Sequence, residues 1–204
     1  MKHARFALLT VPLFLCLFNA CDDGTTIRPE TFTAQIIDND EVIVGEETGL
    51  MWQSYTEGNV ITYLKQVTST KAEEYCADLL WAGFDDWRLP TIDELRTIVE
   101  GYPDIETGGR CKVTKNCLEY PCKEKGAKTD NDHPCAHNEN KGAGPGPKGC
   151  YWEMPWRDLF CGAHWSTSPV EGGNGERWVL NFYDPSIFIA VEDAGTAFPR
   201  CVRK

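Results

Sequence analysis

The sequence predicts an α+β domain in which two helices pack on a small, mostly antiparallel sheet carrying a long disulfide-stapled insertion. Two short runs with helical spacing each follow a Thr-x-x-Glu pattern. Alternating apolar runs lie near both ends of the chain, and the middle is rich in cysteine and glycine with no periodicity. Strands, then helices, then a loop, then more strands is an order that segregates helix from sheet.

The first segment has the layout of an export leader: Lys2 and Arg5, an apolar run from Phe6 to Phe18, then Asn19-Ala20-Cys21. A small residue before a cysteine resembles the bacterial lipoprotein box, which implies cleavage after residue 20 and a lipid on Cys21. Ordinary leader cleavage with Cys21 as a spare thiol is the other reading. Residues 21–35, rich in Asp, Gly, Thr, Pro and Glu, suit a tether, and the domain is expected to span 36–204. The formal charge is −11, and losing the leader removes two cations and no acid. Such a surface repels phosphates and anionic headgroups, which excludes nucleic acid as a partner and leaves the lipid as the sole membrane attachment.

Val42-Ile43-Val44, a turn at Glu47-Thr48-Gly49, and Leu50-Met51-Trp52 read as two paired strands. Thr70 with Glu73 forms a capping box ahead of Ala72, Tyr75, Cys76, Leu79 and Leu80, which share one helical stripe ending near Trp81 to Gly83. Cys76 therefore points toward the core. Thr91 with Glu94 starts a second helix whose Ile92, Leu95, Ile98 and Val99 recur at helical intervals, with Gly101 as the stop. Between the two lies Asp86-Trp87-Arg88-Leu89-Pro90, where Trp87 reads as a core aromatic and Arg88 as a donor to nearby carbonyls.

From about 102 to 162 the periodicity is lost, and the segment reads as a surface insertion. It contains Cys111, Cys117, Cys122, Cys135, Cys150 and Cys161 among many glycines and prolines. With Cys76 and Cys201 these form an even set in an exported chain, which argues for disulfides, although sequence leaves their pairing open. The last portion returns to strands at Ala163–Ser168, Arg177–Phe182, Ile187–Val191 and Phe198–Arg203.

Five blocks in order carry a resemblance: Thr48-Gly49-Leu50-Met51-Trp52-Gln53; the helix bearing Tyr75-Cys76; Gly83 through Trp87-Arg88-Leu89-Pro90-Thr91 to Leu95; Trp165-Ser166-Thr167-Ser168; and Arg200-Cys201-Val202-Arg203. Over roughly residues 40–203 the chain resembles the Lcl C-terminal domain family, bacterial extracellular domains of undefined function grouped with the C-type-lectin-like fold. The resemblance implies that the first and last strands meet and that Cys76 pairs with Cys201, leaving the other six cysteines to pair within the insertion. It implies little about function, because such a fold hosts sugar binders, protein binders and an enzyme branch.

Glu171, Asn174, Glu176, Asn181 and Asp184 could give oxygens to calcium, but the tripeptides that lectin-type calcium sites use are absent, so solvated turns are the simpler reading and no metal or other cofactor is expected. Cys111, Cys117, Cys122, Cys135 and Cys150 with His133 and His137 lack paired Cys-x2-Cys spacing, which favours disulfides over zinc. Asp130-Asn131-Asp132 begins like a calcium loop but has His133 where the turn needs glycine. His164 near Ser166 and Ser168 suggests a nucleophile and base, yet no Gly-x-Ser-x-Gly elbow exists. Tyr151, Trp152, Met154, Trp156 and Arg157 have the composition of a recognition hot spot, or else seal the insertion against the core. The functional expectation is a lipid-anchored protein of the cell envelope, at the outer membrane or surface. It acts as a non-enzymatic binding or adhesion module for a glycan or protein, through Trp152, Trp156, Arg157, Glu171, Asn174 and Glu176. The alternatives are an enzyme or maturation factor of the same fold, and a structural envelope component.

Overall fold

A computed structural model describes residues 30–54, 65–103, 105–107, 141–152, 155–156, 161–170 and 173–204. The fold is α+β. Strands β1 (Phe32–Ile37), β2 (Asp40–Gly45) and β3 (Met51–Gln53) precede helices α1 (Ser69–Ala77) and α2 (Ile92–Arg96), and β4 (Ala163–Pro169), β5 (Glu176–Asn181), β6 (Ser186–Val191) and β7 (Val202–Arg203) follow. One antiparallel sheet has the order β1-β2-β3-β7 and the other β4-β5-β6.

Alternation along the strands feeds two cores rather than one. Ile43, Trp52, Trp178, Leu180 and Val202 enter a cluster with Ile92, Leu95, Trp152 and Trp156. Their strand neighbours Val42, Val179 and Cys201 enter another with Ala72, Cys76, Trp87 and Trp165. Successive side chains leave a strand on opposite faces, so strands covered on both faces read as short continuous apolar runs. Pairing of β3 with β7 brings early and late chain together, and a disulfide joins Cys76 to Cys201 at 2.05 Å within the second core.

The ordered sheet begins before the expected tether ends, because Phe32–Ile37 pairs with β2 along its whole length. The turn between them is Asp38-Asn39 with φ of 48° and 70°. Two left-handed residues make the turn that matches the twist of a tight hairpin, and Asp and Asn tolerate that conformation better than other side chains with a Cβ.

Helix α1 starts two residues before the expected box, with Thr68 accepting from the Lys71 N–H at 3.3 Å. Tertiary contacts set that start. Val67 bridges Ala197, the Ser69 N–H donates to the Glu192 carbonyl at 2.9 Å, and the Glu73 carboxylate pairs with Arg177 at 3.0 Å instead of closing a box. The helix ends at Ala77, so Leu80 leaves the stripe and lies 72% exposed. Trp81 and Ala82 then donate to β2, to the Glu41 carbonyl at 2.9 Å and the Asp40 carboxylate at 2.8 Å.

Helix α2 carries the expected capping box between Thr91 and Glu94. It is shorter than its apolar pattern, because after Arg96 the chain continues in tight turns that donate from Ile98 to Leu95 and from Val99 to Arg96. Arg88 reaches Glu94 through two bonds of 2.7 and 2.8 Å and the Leu89 carbonyl at 3.1 Å. Thr91→Ala removes the cap, and thermal unfolding is expected to show a loss of about 1 kcal/mol.

The described end of the insertion differs from a surface loop. Cys150, Trp152, Trp156 and Cys161 are all in the first core, and Cys150 bonds Cys161 at 2.11 Å. The Gly-Pro-rich run is folded on itself, with Gly144 donating to Gly149 and Gly146 to Cys150, each at 2.9 Å. A Cβ at Gly144 or Gly146 would collide with the Cys150 or Trp152 backbone, which is why these two positions exclude a side chain.

Candidate functional site

Trp152 and Trp156 are buried at 0% and 1% exposure, so they pack in the core and present no surface for recognition. Phe32 and Trp52 meet Trp156 edge-on at 5.2 and 6.0 Å, and Phe182 meets Trp152 at 4.8 Å. Their apolar area outweighs any value as exposed contacts. Arg157, Glu171 and Cys21, like Cys111, Cys117, Cys122, Cys135, His133, His137 and Asp130-Asn131-Asp132, lie outside the described residues. Asn174 is exposed and Glu176 half-buried.

The described oxygens weighed for calcium separate in space. Asn174 and Glu176 sit at one end of β5, whereas Asn181 and Asp184 sit at the other end, beside its turn to β6. A strand rises about 3.3 Å per residue, so the two groups cannot converge on one ion. Among the described residues, no group of three or more His, Cys, Asp or Glu side chains is placed to hold a metal.

His164, Ser166 and Ser168 share one face of β4 and are each committed elsewhere. Ser166 Oγ donates to the Trp178 carbonyl at 2.6 Å, and Ser168 Oγ accepts from the Ile92 N–H at 3.0 Å, which ties α2 to the sheet. His164 Nδ1–H donates to the Gly162 carbonyl at 2.9 Å, leaving Nε2 to face Arg200 Nη2 at 3.4 Å. The Arg200 guanidinium lies 5.0 and 4.9 Å from the rings of Trp152 and Trp156. Burial first, and the Arg200 charge second, hold the His164 pKa well below its usual value, against the opposing bond to Gly162. A folded pKa below the unfolded one means the unfolded chain takes up the proton first. Stability is therefore expected to be full above about pH 6.5 and to fall below it. The slope reaches about 1.4 kcal/mol per pH unit for that one proton. Urea unfolding between pH 4.5 and 8 checks this, and His164→Phe should flatten its part of the profile.

A polar cleft of about 490 Å³ opens where the second sheet meets the folded end of the insertion. Tyr183, Asn181 and Asp184 come from the β5–β6 turn, Lys141 and Lys148 from the glycine-rich run, Gln66 from the approach to α1, and Phe188 and Phe198 form the apolar floor. Backbone bonds fix these parts. Gly142 donates to Tyr183 at 2.8 Å, Tyr151 to Phe182 at 2.8 Å and Phe182 to Gly162 at 3.2 Å. Lys141 Nζ lies 5.5 Å from the Tyr183 ring, and both lysines are exposed. Burial raises the Asp184 pKa, while the Ser186 hydroxyl at 3.0 Å and the Lys141 charge oppose that rise. Sequence reading reached Asn181 and Asp184 as oxygen donors and missed the rest, because the cleft draws on five separated parts of the chain.

The chain belongs to the Lcl C-terminal domain family, whose model matches residues 41–203. No curated protein and no solved structure matches the chain. The family match runs from β2 to β7 and takes in both helices and the cleft, while the β1 strand precedes it.

Proposed function

We propose that the protein is exported, held at the cell envelope by a lipid on Cys21, and serves as a non-enzymatic binding module whose cleft takes a glycan. The observation that carries this reading is the cleft itself. Aromatic rings at its floor and wall offer faces for the C–H surface of a sugar, while the Asn181 and Gln66 amides, Asp184 and two ammonium groups can bond hydroxyls. Membership of a family of extracellular domains and the oxidised cysteine pairs fit an extracytoplasmic setting.

A glycan array probed with the leaderless, oxidised chain tests the reading. Saturable binding to a defined glycan set is expected. Tyr183→Ala and Gln66→Ala should each weaken it by about tenfold, with unfolding temperature little changed because both side chains are exposed. Binding that survives both substitutions would place the site elsewhere.

A further inference from the structure

Among the described residues the β1 strand is an open edge of the first sheet, and its outer side meets an acidic groove. Among the described residues only β2 pairs with it. The tight turn makes Ile37 and Asp40 a bonded pair, and Glu46 donates to the Thr31 carbonyl at 2.9 Å, so Thr31, Thr33, Gln35 and Ile37 face β2. Alternation then turns the N–H and C=O of Phe32, Ala34 and Ile36 outward. Protein edges usually carry a charge, a proline or a bulge to block pairing. Phe32-Thr33-Ala34-Gln35-Ile36-Ile37 has none of these, and Ile36 is 67% exposed.

At the Phe32 end the edge runs into a groove of about 370 Å³ between the start of β1, the β2–β3 turn and the end of α2. Phe32, Ile98 and Val99 give it apolar walls, and Glu30, Glu47, Glu100 and Glu106 line it as well. Among the described residues the one cation lining it is Arg96, which is 3% exposed and turned into the protein, donating to the Ile105 and Glu106 carbonyls at 2.8 Å and to Asp93 at 3.3 Å. The groove therefore presents negative charge over an apolar floor.

We propose that this edge and groove dock an extended, lysine- or arginine-bearing polypeptide strand. Its main chain pairs with Ala34 and Ile36, and alternate side chains fall on the Phe32 face, so a cationic one there enters the groove with its methylenes on Phe32 and Val99. A second copy of this chain fits less well. Antiparallel pairing of two β1 strands sets Glu30 of one toward Asp38 and Asp40 of the other, and parallel pairing sets Glu30 against Glu30. The surface is distinct from the glycan cleft and does not depend on it.

The test uses the oxidised chain and a fluorescein-labelled peptide of alternating Lys and Val, with an alternating Glu and Val peptide and an N-methylated Lys-Val peptide as controls. Anisotropy should show saturable binding of the first alone, weakening as salt rises. Each lost main-chain bond reads as about two- to tenfold, so Ala34→Pro and Ile36→Lys should each weaken binding by that much or more. Glu47→Gln combined with Glu30→Gln, which keeps the oxygens that accept the turn's N–H groups, should weaken it several-fold and reduce the salt dependence. If Ala34→Pro disturbs folding, the N-methylated peptide applies the same block from the ligand side. Equal binding of the acidic or N-methylated peptide, no saturation at millimolar peptide, or unchanged affinity in folded edge variants would overturn the proposal. So would self-association through β1 without peptide binding.

Discussion

Replacing Cys76 and Cys201 together by alanine is expected to lower the free energy of unfolding by about 4–5 kcal/mol, read from denaturant melts of the double variant against the parent. The bond closes a sequence separation of 125 residues, and a loop of that size removes much freedom from the unfolded chain. It also joins α1 to the segment just before β7, so its loss loosens the place where the two chain ends meet. Domains of this size are stable by about 5–15 kcal/mol, and the double variant should approach the margin. The Cys150–Cys161 bond spans only 11 residues, and the same reasoning gives its removal the smaller effect.

Trp152→Ala should cost about 3–5 kcal/mol, the range for emptying a buried aromatic site. Trp152 touches Phe182, His164 and Trp156 and lies 5.0 Å from the Arg200 guanidinium, so truncation opens a void beside a buried cation. Trp152→Phe should cost distinctly less. The indole N–H of Trp152 has no acceptor among the described residues, so a phenyl ring forfeits area and shape but no hydrogen bond. Paired chemical melts of the two variants decide the matter. Near-wild-type stability of the alanine variant, with ligand binding lost, would return Trp152 to a recognition role.

Much of this was legible locally, and what was not shares one cause. The Thr91–Glu94 box is visible in sequence because its two bonds close within four residues. The Thr70–Glu73 pattern is equally good on paper, yet Val67 and Ser69 are pinned to distant strands and Glu73 is drawn to Arg177. Distant contacts therefore overrode a local preference. The β1 strand was hidden because Phe32–Ile37 lacks clean alternation and its Asp-Asn turn lacks the glycine that usually marks a tight hairpin. The glycine-rich run looked irregular, although its glycines are there to let backbone approach backbone. Tyr151, Trp152 and Trp156 were the signal that the insertion returns to the core at its C-terminal end. The cleft could not be seen at all from spacing, since Gln66, Lys141, Lys148 and Tyr183 become neighbours only when the sheets and the second disulfide are in place.

The central claim is that the early and late strands form one sheet clipped at Cys76 and Cys201, with the second sheet and the folded end of the insertion building the cleft around it. Proteolytic mapping of the unreduced protein by mass spectrometry tests it most directly. The account predicts one linked peptide pair containing Cys76 and Cys201 and another containing Cys150 and Cys161. Cys76 recovered in linkage to Cys111, Cys117, Cys122 or Cys135 would contradict it.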